Sequence, residues 1–289
     1  MKLLTVNIHS HFDKMSELQF SHALEYLADL IIRESVDVIA LQECSQSRDT
    51  EIVEGIHALP GFFHPVSGEK GITEPASPQI RDDNFAYLLV KKLEDCGVAF
   101  HWSWTGAKIG YDRFDEGLAV LSRYPAVDAE SFYYSRHADY NNWKSRKAIG
   151  LCVETEAGKK WFYSVHMGWW KDKEEPFIPQ IEKLQERMTG QKKDVFLMGD
   201  FNNQAAVRDE GYKYVRDLGW QDTYLLAQVK DSGITVPGTI DGWKEVTSGM
   251  RIDYIFSGEK VNVVSSEVVF NGRKDPAISD HFGVLVNIE

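Results

Sequence analysis

Val195-Phe196-Leu197-Met198-Gly199-Asp200-Phe201-Asn202-Asn203 is the stretch on which the fold reading turns. Residues 195–198 form a continuous apolar run, which predicts a short buried strand. The strand is expected to stop at Gly199, where the missing Cβ frees the backbone to turn sharply. Just beyond it sit an acid, Asp200, and an amide, Asn202. Gly, Asp and Asn all favour turns, so this stretch alone is an ordinary strand-to-loop junction. What gives it weight is recurrence. A rigid sheet with polar side chains at the mouths of its strands presents chemistry to solvent.

Outward from that stretch, strands are expected over 3–6, 36–41, 84–90, 98–105, 116–122, 148–154, 161–165, 251–256, 261–270 and 282–288. Helices are expected from Ser16, with Gln19 in capping-box position, and over 177–188, 205–218 and 222–229. Residues 62–79 hold several of the prolines and glycines and read as a long loop. With no linker, low-complexity tract or short-period repeat, the reading is one strand-rich α/β domain over 1–289.

The chain of 289 residues is 43% hydrophobic and 26% charged, a globular composition able to bury a sizeable core. A net charge of −12 opposes non-specific attachment to nucleic acid or an anionic membrane. The one basic cluster, Lys144-Ser145-Arg146-Lys147, reads as a solvated loop. Cys44, Cys96 and Cys152 are scattered and odd in number, which argues against a disulfide framework or a zinc site. The N-terminal stretch enters a strand without a signal-peptide pattern, and no apolar run reaches spanning length, so a cytoplasmic protein is expected.

Asn7, Glu43, Glu116, His166, Asp200, Asn202, Asp253, Asp280 and His281 all lie at or near the edges of strand-like runs. Each alone has a plain explanation: a turn, a helix cap, an edge strand, a satisfied structural histidine. Together they form a hard, oxygen-rich set that suits Mg²⁺ or Mn²⁺ better than zinc. Two histidines with carboxylate partners could donate to a phosphate oxygen. Metal, acid and imidazole together describe attack on a phosphate ester, where charge stabilisation dominates the barrier.

Thr5-Val6-Asn7, Leu41-Gln42-Glu43, Gly199-Asp200-Phe201-Asn202, Arg251-Ile252-Asp253-Tyr254 and Ser279-Asp280-His281 resemble, in order, the signature of the endonuclease/exonuclease/phosphatase superfamily. The resemblance spans nearly the whole chain and implies a DNase I-like four-layer αββα sandwich. It implies Glu43 as main Mg²⁺ ligand with Asn7 and Asp280 close by. Asp200 would orient or deprotonate water, and Asn202 would hold phosphate and water in line. His281 oriented by Asp253, and His166 oriented by Glu116, would contact the phosphate and the leaving oxygen.

Substrate choice follows from departures. Ser45 stands where nucleases of the exonuclease III type usually place Lys or Arg, and His9 replaces their second acid after the first Asn. Secreted sphingomyelinases need an export signal. Trp169 and Trp170 follow His166 directly and are expected as platforms for a sugar ring, whereas Trp104 is expected in the core. Ile109-Gly110-Tyr111-Asp112-Arg113, Glu116-Gly117 and His166-Met167-Gly168-Trp169-Trp170 look like a cytoplasmic Gram-positive branch that includes maltose 6′-phosphate phosphatases. The expectation is a Mg²⁺-dependent phosphoesterase acting on a small phosphorylated metabolite, with nucleic acid disfavoured as a partner. A nuclease is the competing enzyme reading, and a catalytically dead binding module the competing class. Oligomeric state is not legible.

Overall fold

The computed structural model describes residues 1–10, 16–55, 59–66, 78–188, 190–240, 243 and 249–289. Among the described residues, nine strands form one sheet. Its order is β12 (Val229–Lys230), β14 (Val263–Val269), β15 (Gly283–Ile288), β1 (Lys2–Asn7), β2 (Val38–Gln42), β6 (Phe114–Ser122), β5 (His101–Gly110) and β4 (Phe62–Phe63), with β3 (Gln46–Ser47) also paired to β6. Six form the other, in the order β11 (Gln221–Asp222), β13 (Asp253–Ser257), β10 (Val195–Asp200), β9 (Gly158–His166), β8 (Lys147–Thr155) and β7 (Ala126–Tyr133). Near the middle of each sheet lies a parallel pair, β1 with β2 and β10 with β9. Parallel neighbours bring like ends to one edge, so Asn7 registers with Gln42 and Asp200 with His166.

Alternating side chains along each strand set the layers. Ile39 and Leu41 pack in the cluster that includes helices α1 (Glu17–Glu34) and α2 (Phe85–Asp95), while Val38 and Ala40 face the second sheet. In β10, Phe196 and Met198 join the inter-sheet core. Val195 and Leu197 pack with α3 (Phe177–Arg187) and α4 (Gly211–Asp217). The result is the expected order of helix, sheet, sheet, helix. Phe162 and Phe196 stack at 5.1 Å in the middle, and burying a ring of this size stabilises by about 1.5–3 kcal/mol. Ser16 and Gln19 form the expected capping box, and Trp104 is core, its Nε1 donating to the Cys44 carbonyl at 2.7 Å.

Several elements differ from the sequence reading. Residues 84–90 are not a strand: Asn84 caps α2, its side chain accepting from the Tyr87 N–H. The buried set Phe85, Ala86, Leu89, Val90, Leu93 has helical spacing, which a seven-residue window cuts short. The expected helix over 205–218 shrinks to α4. That over 222–229 shrinks to α5 (Thr223–Leu226), flanked by two-residue strands. Strand β7 was not expected; Val127 and Asp128 near its start are exposed, as an edge strand allows. Of the expected 62–79 loop, Phe62–Phe63 is strand, and 67–77 lie outside the described residues.

Gly199 is also a correction. The strand continues through it to Asp200, with φ 149°. A Cβ there would lie 2.0 Å from the Val165 carbonyl oxygen. The glycine is therefore needed for close approach of two parallel strands, not for a turn.

Candidate active site

The polar strand ends meet where the two sheets face each other. Asn7 donates from Nδ2 to Glu43 Oε1 at 2.9 Å and to Asp200 Oδ2 at 3.3 Å, so one carboxamide spans both sheets. Beneath it runs a fully buried polar chain. Thr5 Oγ1 donates to Gln42 Oε1 (3.2 Å), Gln42 Nε2 to Ser164 Oγ (2.8 Å), and Ser164 Oγ to the Leu41 carbonyl (2.8 Å). Each bond contributes only about 1 kcal/mol net, but leaving a buried partner unsatisfied costs about 1–3 kcal/mol, which favours one alignment of the sheets.

On this base stand the titratable groups. His166 Nε2 lies 3.7 Å from Asp200 Oδ2, and its Nδ1 lies 3.9 Å from Glu43 Oε1. On the other side of Asp200, His281 Nε2 is 3.8 Å from Oδ2, while its Nδ1 is 3.0 Å from Asp253 Oδ2. His9 Nδ1 pairs with Asp280 Oδ1 at 3.0 Å, and its Nε2 is 3.9 Å from Glu43 Oε2. Glu43 (φ 47°), Asn202 (φ 49°) and His9 (φ 45°) all hold left-handed backbone, at roughly 1–3 kcal/mol each. Strain of this kind gathers at functional sites because the surrounding fold enforces a geometry relaxed loops avoid.

Electrostatics separates the roles. Burial pushes Asp200 up, helped by Asp253 and Glu43 and opposed by His281 and the Asn202 N–H. Burial pushes His281 down, but Asp253, Asp200 and Asp280 outweigh it and the imidazolium is favoured. His166 goes the other way: burial, then Arg146 and Lys108, hold it neutral. Burial also disfavours charge on His9, yet Glu43 and Asp280 raise it to about 9.

Some expected partnerships are not made. Glu116 Oε1 pairs with Lys108 Nζ at 3.0 Å, and the carboxylates within 4 Å of the His166 ring nitrogens are Glu43 and Asp200. A buried lysine competes for the carboxylate and wins it. Trp170 packs against Phe177 and Tyr214, both at 6.1 Å between centroids, whereas Trp169 lines the cleft. Asn7 turns its NH₂ to the acids and accepts the His9 N–H at Oδ1, so it bridges carboxylates here. Asn202 donates to the Met167 carbonyl (3.0 Å) and accepts from Trp243 Nε1 (3.2 Å), bracing the loop beside Asp200.

The cleft over these groups, about 440 Å³, is also lined by Lys108, Tyr111, Trp143 and Arg146, none of which the sequence reading selected. The supposed solvated loop is the clearest correction: Ser145, Arg146 and Lys147 are 1, 3 and 3% exposed. The missed signal was the same as at Asp200, polar residues abutting a buried strand.

The donor set fits a hard divalent cation. Asp200, Asp253 and His281 offer atoms within 4.8 Å of one another. Because His281 Nδ1 is already shared by both Asp253 oxygens, that trio behaves as an Asp–His pair facing Asp200. Glu43 and Asp280, held around His9, with Asp200 reached through Asn7, supply the oxygen-rich side.

The profile of the Endonuclease/Exonuclease/phosphatase family matches residues 4–281. The chain belongs to that family. Among solved structures, a family protein from Leptotrichia buccalis is 30% identical over 100% of this chain and 99% of its own, with a TM-score of 0.83. A mannosyl-6-phosphatase from Bacteroides thetaiotaomicron is similar at 16% identity, 100% and 99% coverage and TM-score 0.64. A 3′ phosphatase from Neisseria bound to a product DNA hairpin is similar at 17% identity, 100% and 99% coverage and TM-score 0.61. The last two show the fold alone. No curated protein matches the sequence. Among the described residues no helix is long and apolar enough to cross a membrane.

Proposed function

We propose that the chain is a metal-dependent phosphoesterase whose favoured substrate is a small, sugar-like phosphomonoester, cleaved by in-line attack of water. The observation that carries this reading is Asp200 seated between two imidazoles of opposite character, 3.7 and 3.8 Å away, beside a carboxylate cluster. A raised Asp200 is suited to take the proton of the attacking water. His281, charged and oriented by Asp253, donates to a phosphoryl oxygen as negative charge builds there. His166 offers a neutral ring toward the leaving oxygen. Asn202 fixes the Asp200 loop, and Glu116 acts through Lys108. Glu43 and Asp280, with Asn7 bracing Glu43, would hold Mg²⁺ or Mn²⁺. When bound, the cation supplies Lewis-acid stabilisation of the phosphoryl group.

A sugar-like substrate is supported by Trp143 and Trp169, whose rings lie 6.1 Å apart at the cleft, by the chain's net charge of −12, and by the mannosyl-6-phosphatase likeness. The resemblance to the maltose 6′-phosphate branch, with cytoplasmic members, points the same way. A nuclease is the second reading: the DNA-bound Neisseria 3′ phosphatase shows a nucleic acid held on a similar fold, and flat rings also stack bases. Release of inorganic phosphate from a panel of sugar phosphates, compared with nicking of plasmid DNA, each with Mg²⁺ and with EDTA, separates the two. Nicking at ordinary enzyme concentration without phosphate release would overturn the phosphatase.

A further inference from the structure

Arg146 is 3% exposed, yet among the described residues no carboxylate pairs with it and its Nε has no hydrogen-bond partner. Its Cζ lies 5.6 Å from the centre of the Trp169 ring, and Trp169 Nε1 is likewise buried and unpartnered. Both residues line the cleft that holds His166, Asp200 and Glu43. Lys108, the buried lysine there, is matched by Glu116 at 3.0 Å. The corner therefore holds an arginine with no carboxylate partner and two unpartnered N–H donors, on residues that line the cleft.

Burying an uncompensated guanidinium is unfavourable, so the free protein carries a cost that a ligand anion would relieve. With the Glu116 carboxylate taken up by Lys108, two unpartnered donors select an oxygen-rich anion at this corner. The planar guanidinium fork matches phosphoryl oxygens in particular. Placement agrees: Arg146 immediately precedes β8, and β8 pairs with β9, which ends at His166.

Building on the phosphoesterase reading, we propose that Arg146 and Trp169 Nε1 form the subsite for the second negative charge of a dianionic phosphoryl group, making this centre selective for phosphomonoesters over phosphodiesters. A diester brings one charge fewer and puts a second ester substituent where a free oxygen would sit. Lys108 and Glu116, as a neutral pair, wall the same corner without adding net charge.

The test uses full-length protein with Arg146→Met and Arg146→Lys. Inorganic phosphate is titrated calorimetrically with Mg²⁺ present, and turnover is compared on p-nitrophenyl phosphate and bis(p-nitrophenyl) phosphate. Arg146→Met is expected to weaken phosphate binding by about tenfold to a hundredfold, with Arg146→Lys between it and wild type. The monoester-to-diester ratio of kcat/KM should fall about tenfold or more. Its melting temperature should hold or rise, because an unmatched buried charge is removed. Wild-type phosphate affinity in a folded Arg146→Met protein, or an unchanged ratio, overturns the proposal, as does absence of phosphate binding to wild type. If wild type turns over neither ester, the phosphoesterase reading fails, and the phosphate titration still decides the role of Arg146.

Discussion

Arg251 and Arg146 are both largely buried arginines just before strands of the same sheet, and they are treated in opposite ways. Arg251 Nη1 pairs with Asp222 at 2.8 Å and Nη2 donates to the Tyr212 hydroxyl at 3.2 Å. Its Cζ lies 5.0, 4.5 and 4.8 Å from the rings of Tyr212, Tyr224 and Tyr254. Arg146 has one ring and no carboxylate. A charge whose partners all come from the chain holds the chain together. A charge kept without them at the wall of a cleft is being held for something that arrives.

The comparison breaks most visibly through activity. Asp200→Ala and His281→Ala remove groups on the cleft side and should lower kcat by about a thousandfold or more; the melting temperature should hold or rise in Asp200→Ala and fall in His281→Ala, which strands the buried Asp253. Turnover near wild type in either variant would exclude that residue from the mechanism. Next in size is Arg251→Met. It strands Asp222 in the interior and should cost about 3–5 kcal/mol by denaturant unfolding, most of it recovered when Asp222→Asn is added. A cost below about 1 kcal/mol would erase the distinction between the two arginines.

Gly199→Ala should cost about 1–3 kcal/mol and lower turnover as well, since the added carbon drives β9 and His166 away from Asp200. Unaltered kcat would show that the close approach serves folding alone. The smallest effect concerns the loop beside Trp169. Burial raises Asp172, but the Glu175 N–H, Lys144 and the Glu174 N–H outweigh it and the folded value is depressed. Stability from this group is therefore present above its unfolded value near pH 4 and lost as pH falls through the lower folded value. Asp172→Asn should flatten that part of the acid-side slope in melting temperature. A slope identical to wild type would exclude the contribution.

Much of this was legible in the sequence. Apolar runs ending in Asn7, Glu43, His166 and Asp200 located four strand ends, because a buried strand leaves few other places for such residues. Asp253 and His281 were paired in advance and lie 3.0 Å apart. Helix α2 was misread because its first six residues, Phe85 to Val90, are apolar enough for either period. Arg146 was missed because charge runs are usually solvated, and nothing in the string Lys-Ser-Arg-Lys says that its third member faces a tryptophan across the start of a strand. The Glu116 partnership failed for a similar reason: Lys108 sits on the neighbouring strand, and only the register shows that it reaches the carboxylate first.

Gln42 grips Thr5 within its own sheet and Ser164 in the opposite one, below the level at which substrate would enter. Sliding of one sheet past the other would strand these groups without partners. Loops at the rim can therefore lengthen, shorten or exchange their aromatic residues while the groups beneath stay in line. Such a site can be re-aimed at a new leaving group without being rebuilt.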